Sequence, residues 1–352
     1  MHLTMLNSWG VSNSFGVFQT YYTDILPQTP SSISWIGGLL GIFMTSLCKT
    51  YWQIMLSQAV AVGIGNGRTF TSGLSVMSSY FVQNRAFAVG VAASGSAVGG
   101  LIYPITVACL LNVLGIGYGW TLRVMGLDML VTSIPSLTLF KPRLPPRKTG
   151  PLIDSSAVHE IPFVFFTLSK FFNFWGLYFA FFYLGTFARD ILGVSPSSSM
   201  NYILVLNGIG VFGRIIPGLI ADKRGMLNMI IILSLSASIL LFSWIRVSTE
   251  SGLYAFASVY GIIAAALQTL FPATATTMAP FPERTGTRLG MILSFVGFAT
   301  LTGPAIEGAL IQEAGGDYIY GQVFAGTAIL LGCGAAVVAR VAKVGWGLDV
   351  RA

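Results

Sequence analysis

The chain has 352 residues, of which 54% are hydrophobic and only 9% charged, against roughly 25% charged in a soluble domain. No single soluble core of this size encloses that much apolar surface, which argues against a soluble enzyme or regulatory domain. Lysine and arginine outnumber aspartate and glutamate by 19 to 12, for a net charge of +7. Most of the positive residues sit in short loops between apolar runs, with Lys49, Arg123, Arg189 and Arg246 as exceptions at or near outer ends; the pattern fits basic cytoplasmic loops of a membrane protein and not a nucleic-acid interface.

A membrane-crossing helix needs about 20 mainly apolar residues. The chain opens inside such a run without a cleavage site, so Leu3–Tyr22 reads as a first span and not as a removable signal. Ile33–Cys48 is a second, short run, followed by Ile54–Phe81, Phe87–Leu111 and Trp120–Phe140. The stretch KPRLPPRKTGPLIDSSAVHE over 141–160 carries prolines and charges without periodicity and reads as a linker. Six further runs follow at Pro162–Phe187, Met200–Ala221, Leu227–Val247, Gly252–Met278, Leu289–Ile311 and Ile319–Val341. The expectation is an all-α polytopic membrane fold of about 11 apolar segments. An N-terminal bundle occupies 1–140, a cytoplasmic linker 141–160 and a six-helix bundle 161–352.

Orientation follows from the loops. Arg85, the linker, Lys223 and Arg224, Arg284 and Arg288, and the stretch after Arg340 are basic, whereas Asn112–Gly119 and Ser248–Ser251 carry no Lys or Arg. The basic loops are assigned to the cytoplasm. By this count Ile33–Cys48 must begin and end on the outer side, which one straight helix cannot do. The three cysteines, Cys48, Cys109 and Cys333, have no metal-binding spacing and read as packing residues. His2 and His159 lie outside the runs. No pattern calls for a metal or a cofactor, and no P-loop, nucleotide fingerprint or Ser/His/Asp arrangement suggests an enzyme.

The sharpest local signal is GVFGRIIPGLIADKRG over 210–225, where Gly218, Asp222, Lys223, Arg224 and Gly225 follow a G-x-x-x-D-[KR]-x-G spacing. A glycine at 218 lets a neighbouring helix approach. Asp222 suits a helix N-terminus or a cationic partner. The plain alternative is a basic loop with chance glycines.

This pattern resembles the loop signature of the major facilitator superfamily. Trp9–Tyr22, Gly63–Pro104, Gly286–Met291 and Leu301–Leu310 look like the first, fourth to fifth and eleventh spans of its monocarboxylate-porter-like branch, common in fungi. Arg85 and Gly100 recur at the separation of Arg288 and Gly303, as parallel repeats imply. The resemblance implies twelve spans and two copies of the loop signature. Here the first copy is absent, and a hairpin between Gly37 and Met44 is missing, which accounts for the short second run.

Ionisable residues within spans are candidate functional groups. Arg68 lies 17 residues before Arg85, about 25 Å along a helix, where it either meets an anionic solute in a central cavity or snorkels. Lys170 either faces the cavity or snorkels to the cytoplasm. Arg214 matches, through the resemblance, the arginine that binds a substrate carboxylate, although the acid expected four residues earlier is Gly210. Asn13 and Gln19, with Ser14, offer hydrogen bonds to a solute or to a neighbouring helix. Asp128 and Glu307 remain as candidate proton carriers, nearer the outer face where water can reach them. The aromatic run Phe165–Phe187 reads as lipid-facing bulk and packing.

The expected function is secondary active or facilitative transport of a small organic anion, monocarboxylate-like, or a related metabolite, by alternating access. A proton is the candidate co-substrate, and the bilayer is the other partner. The plasma membrane is the expected location, with the vacuole or another organelle as the alternative. The competing function is a non-transporting truncated remnant or a receptor-like protein.

Overall fold

The computed structural model describes residues 1–3, 5–6, 42–61, 70, 73–74, 76–77, 80–81, 84–139, 153–279 and 284–346. Among them there are helices and turns and no strands. The longer helices are α1 Arg85–Ala108, α2 Tyr118–Leu139, α3 Ile161–Leu177, α4 Phe179–Asp190, α5 Pro196–Arg224, α6 Met226–Trp244, α7 Glu250–Ala275, α8 Thr285–Glu313 and α9 Ile319–Val344.

Local sequence sets their ends. Ser195 caps α5 by accepting the Ser198 N–H, with Pro196 pre-set for the first turn. Thr249 caps α7 by accepting the Gly252 N–H. Gly225, at φ 96°, makes the sharp turn between α5 and α6 in a region that an L side chain rarely adopts. The α3–α4 pair is one apolar stretch, Ile161–Asp190, interrupted at Tyr178.

Seven of the described helical stretches are long and apolar enough to cross a membrane: Arg85–Leu111, Ile161–Asp190, Ser198–Arg224, Met226–Trp244, Glu250–Met278, Thr285–Glu313 and Ile319–Val344. The last six fall on the six runs read from the sequence after the linker. Helix α2 spans 22 residues and coincides with the run at Trp120–Phe140, and it carries Arg123 and Asp128. Most of Ile33–Cys48 and of Ile54–Phe81 lies outside the described residues. What is described is a short helix at Ile42–Thr45, a turn, and a second helix from Tyr51 that widens into π-helical turns over Met55–Ala61. Thr45 Oγ1 and Ser57 Oγ hold the two arms together at 2.9 Å.

Polarity is arranged for lipid. Phe212, Ile216, Leu219 and Ile220 on α5 and Ile232, Leu235 and Ile239 on α6 are exposed, at the three- and four-residue spacing of one helix face. Lys170, Asn173, Arg214, Gln268 and Glu307 are buried. In a bilayer apolar side chains face outward, and polar groups turn to the inside of the protein.

Helix α5 packs along both α1 and α7, α3 against α9 and α8, and α6 against α9. Glycines bring α1 and α5 close: a Cβ at Gly90 would overlap the Arg214 carbonyl, and one at Gly218 would lie 2.8 Å from the Ala86 carbonyl. The basic loops gather at one end of these helices. There Asp222 on α5 meets the start of α1, and Arg85 Nη1 donates to Thr276 Oγ1 at 3.0 Å. Arg340 donates to Asn228 at 2.8 Å.

Two sequence readings need correction. The aromatic run packs more than it faces lipid: Phe166, Phe174, Phe179, Phe181 and Phe187 are buried, while Phe165, Phe171, Phe172 and Phe182 are half-buried. Only Cys333 is buried among the cysteines; Cys48 is half-buried and Cys109 exposed. In the 141–160 segment the described residues are 153–160. Asp154 is buried and paired with Arg284 at 3.2 Å and with Arg288 at 2.9 Å, and Glu160 accepts from Arg288 Nη1 at 2.6 Å.

Candidate functional site

Where α1 and the first residues of the chain meet α5 and α7, the helices leave a narrow cleft. Met5, Phe70 and Ser96 line it from the first half of the sequence. Arg214, Gln268 and Thr269 line it from the second. Its cavity volume is about 10 Å³, room for about one water, so any metabolite requires the two sides to separate.

Arg214 is the chemical centre of the cleft. Its side chain is buried, and Nη2 donates to Oε1 of Gln268 on α7 at 3.1 Å. Its Nη1 lies against Gly210, one turn earlier: a Cβ there would be 2.9 Å away. The missing side chain at 210 therefore supplies room for the guanidinium. It also removes the acid that would have neutralised it. Among the described residues no carboxylate pairs with Arg214. Tyr178, at the break between α3 and α4, lies close enough to interact with it electrostatically.

Gln268 Nε2 and Thr269 Oγ1 have no hydrogen-bond partner although both residues are buried. Buried donors left unmade cost about 1–3 kcal/mol each, and a buried charge costs several kcal/mol unless it is paired. The cleft thus combines one unneutralised cation with two polar groups awaiting partners.

The remaining sequence candidates are placed as follows. Arg68, Asn13 and Gln19 lie outside the described residues. Lys170 does not snorkel: it is 0% exposed, its ammonium has no hydrogen-bond partner, and it stands 5.5 Å from the centre of the Phe166 ring. It does not line the cleft. Glu307 is likewise enclosed and not solvated, at 0% exposed. Gln268 and Thr269 escaped notice in the sequence. Their signal was a polar pair inside the apolar run 252–278, just ahead of Pro272.

The loop signature has a definite geometry. Asp222 accepts the backbone N–H groups of Ala86 at 3.0 Å and Phe87 at 2.9 Å, which are free donors at the start of α1. Gly218 allows the close approach, Gly225 makes the turn, and Lys223 and Arg224 are exposed. At the equivalent place on α8, Arg288 is held by Asp154 and Glu160. The Ser156 hydroxyl and the Arg288 guanidinium bonded to Asp154 hold its carboxyl down at about 2. Arg288 likewise lowers Glu160.

Comparison with known proteins gives the family. The family model of the Major Facilitator Superfamily matches residues 3–285. An MFS-type transporter of Gibberella zeae is 36% identical over 378 residues, covering 97% of this chain and 85% of that protein. The aspyridones efflux protein of Emericella nidulans is 30% identical, covering 92% and 73%. The agnestins efflux protein of Paecilomyces divaricatus is 30% identical, covering 98% and 86%. Among solved structures, an inward-facing bacterial homolog of the human lysosomal transporter Spinster superposes with a TM-score of 0.64 at 17% identity, covering 98% of this chain and 95% of that one. FucP in its outward conformation gives 0.63 at 13% identity, covering 97% of each. At such identities these two structures speak for the fold alone. With nearly its whole length matched, the chain belongs to the major facilitator superfamily of multi-pass membrane transporters.

Proposed function

We propose that the protein exports a small organic acid, or a related metabolite bearing an acidic group, by alternating access around the Arg214 cleft. The observation that carries this reading is the buried Arg214 guanidinium with a neutral glutamine as its hydrogen-bond partner and no carboxylate beside it. A monocarboxylate-like anion fits that charge, and Gln268 and Thr269 supply its further hydrogen bonds. Export, rather than uptake, is supported by the two relatives named for the metabolites they expel. Relatedness across nearly the whole chain favours transport over a non-transporting remnant.

In this reading the division at 141–160 separates two bundles, and the end that gathers the basic loops is cytoplasmic. The Gly218–Gly225 turn, with Asp222 on the start of α1, holds that end closed in the outward-open arrangement. The plasma membrane is the place for an exporter. The missing hairpin belongs to the same proposal: the alignment to the Gibberella zeae protein runs to 378 residues, more than the 352 of the chain, so that relative has residues without counterparts here. The transcript across 31–53 tests this, since an uninterrupted exon would remove the case for an omitted segment.

The functional test is export from yeast cells loaded with a panel of radiolabelled organic acids and matched neutral amides. A hydrogen bond to a charged group contributes about 1.5–3 kcal/mol, which corresponds to roughly 10- to 100-fold in affinity. Arg214→Leu should lose acid export by that factor with membrane insertion intact, and Arg214→Lys should retain part of it. Equal export of acids and amides, unaffected by Arg214→Leu, would overturn the assignment.

A further inference from the structure

The described residues hold a second buried ionisable group that the cleft does not use. Glu307 lies on α8 at 0% exposed, and neither of its carboxyl oxygens has a hydrogen-bond partner. Its surroundings are built around polar backbone that other side chains already satisfy. Tyr183 on α4 donates to the Pro304 carbonyl at 2.7 Å, one turn before Glu307. Tyr260 on α7 donates to the Leu177 carbonyl at 2.8 Å, at the interruption between α3 and α4. Gly303 packs directly on the Trp175 backbone, locking α8 to α3.

We propose that Glu307 is the proton-carrying site of this transporter, taking up and releasing one proton per cycle while the solute uses the Arg214 cleft. The proposal rests on the transport reading above. An ionised carboxylate without partners is strongly disfavoured in such an interior, whereas the neutral acid is tolerated, so the enclosed state here holds the acid. Ionisation therefore requires water to reach the group, and that makes its protonation depend on the conformation of the bundle. Such dependence is what coupling a proton to an alternating structure requires.

The groups around it do not offer a competing explanation. On α7 the titratable neighbour is Tyr260, which feels the Glu307 carboxyl electrostatically and already donates to the Leu177 carbonyl. On α4, Tyr183 is engaged with Pro304, while Arg189 and Asp190 lie at the far end of the helix. On α9, Tyr318 donates to Asp190 at 2.8 Å. On α3 the one cation is Lys170, five residues before the Trp175 that faces Gly303, which places it about 13 Å from Glu307 along the axes. No ion pair to Glu307 exists among the described residues.

Two measurements test the proposal, the first on the unaltered protein. The hydrophobic carbodiimide dicyclohexylcarbodiimide reacts with protonated carboxyls in apolar surroundings, and its adducts are located by peptide mass. Labelling at Glu307 that declines as the pH is raised is expected. An unlabelled Glu307, or labelling indifferent to pH, would overturn the site. The second uses sealed vesicles carrying a pH-sensitive dye. The protein should move protons when an exported acid is added, and Glu307→Gln, which keeps shape without titration, should abolish that proton movement while solute exchange in the absence of a gradient continues. Proton movement by Glu307→Gln equal to that of the unaltered protein would refute the assignment. Absence of solute exchange in the unaltered protein would instead count against the transport reading, leaving the carbodiimide result to decide on Glu307.

Discussion

Arg214 shows how one absent side chain changes the chemistry of a site. With an acid at 210 the guanidinium would be neutralised within its own helix; with Gly210 it turns back into the vacated space and bonds Gln268 instead. A neutral partner satisfies a hydrogen bond and leaves the charge, so the cleft stays electropositive. Asp222 does the opposite, placing a negative charge on the free N–H groups of α1, where the helix dipole adds to the hydrogen bonds. Such a contact contributes about 0.3–2 kcal/mol, enough to bias a two-state equilibrium and small enough to break within a cycle. Asp222→Asn retains one acceptor where the carboxylate offers two. It should lower export several-fold and increase thiol labelling of an Asn84→Cys probe at the start of α1. Unchanged labelling would mean the contact is ornamental. Arg214 and Asp222 stood out in the sequence as charges inside or at the edge of an apolar run, Arg214 also through the resemblance. The partners were not: Gln268 is uncharged, and nothing in its own neighbourhood points to α5 across 54 residues.

At the scale of elements, two repeats carry the same device with different parts. Arg85 begins α1 and Arg288 lies in the first turn of α8, and Gly100 and Gly303 stand 15 residues beyond each, both in close contact with another helix. That echo was readable as spacing. What each arginine does was not, because its partner lies far off in sequence. Arg85 reaches Thr276, whereas Arg288 is held by Asp154 and Glu160 in a segment that reads as a loose linker for want of periodicity. Ion pairs, and not apolar spacing, dock that segment. Acid should therefore undo it. The Asp154 carboxyl is depressed from 3.8 to about 2, and Glu160 lies below its usual value. For a carboxyl lowered by folding, the stabilisation is complete above its unfolded value and is lost as pH falls toward the folded one. The melting temperature of the purified protein should drop as pH falls from about 4 toward about 2. Asp154→Asn should melt lower at neutral pH and show a shallower acid dependence. Parallel acid profiles for the two proteins would show that the cluster does not dock the segment.

The molecule as a whole follows from a composition that only a bilayer tolerates, and the six runs after 160 became six helical crossings because apolar length alone specifies them. In the first half the runs at Phe87–Leu111 and Trp120–Phe140 fall on α1 and α2, and the earlier runs lie mostly outside the described residues. The central claim concerns motion: two halves that meet at the Arg214 cleft, closed by Asp222 at one end, must open at each end in turn. The direct measurement is the distance between spin labels on the first and second halves, in a background without Cys48, Cys109 and Cys333. One pair sits at Asn84→Cys and Lys223→Cys, beside the Asp222 contact. The other sits at Leu114→Cys and Asn201→Cys, at the opposite ends of α1 and α5. Two distance populations are expected for each pair, changing in opposite senses when an exported acid is added. A single distance at both ends, unmoved by the acid, would contradict alternating access in this protein.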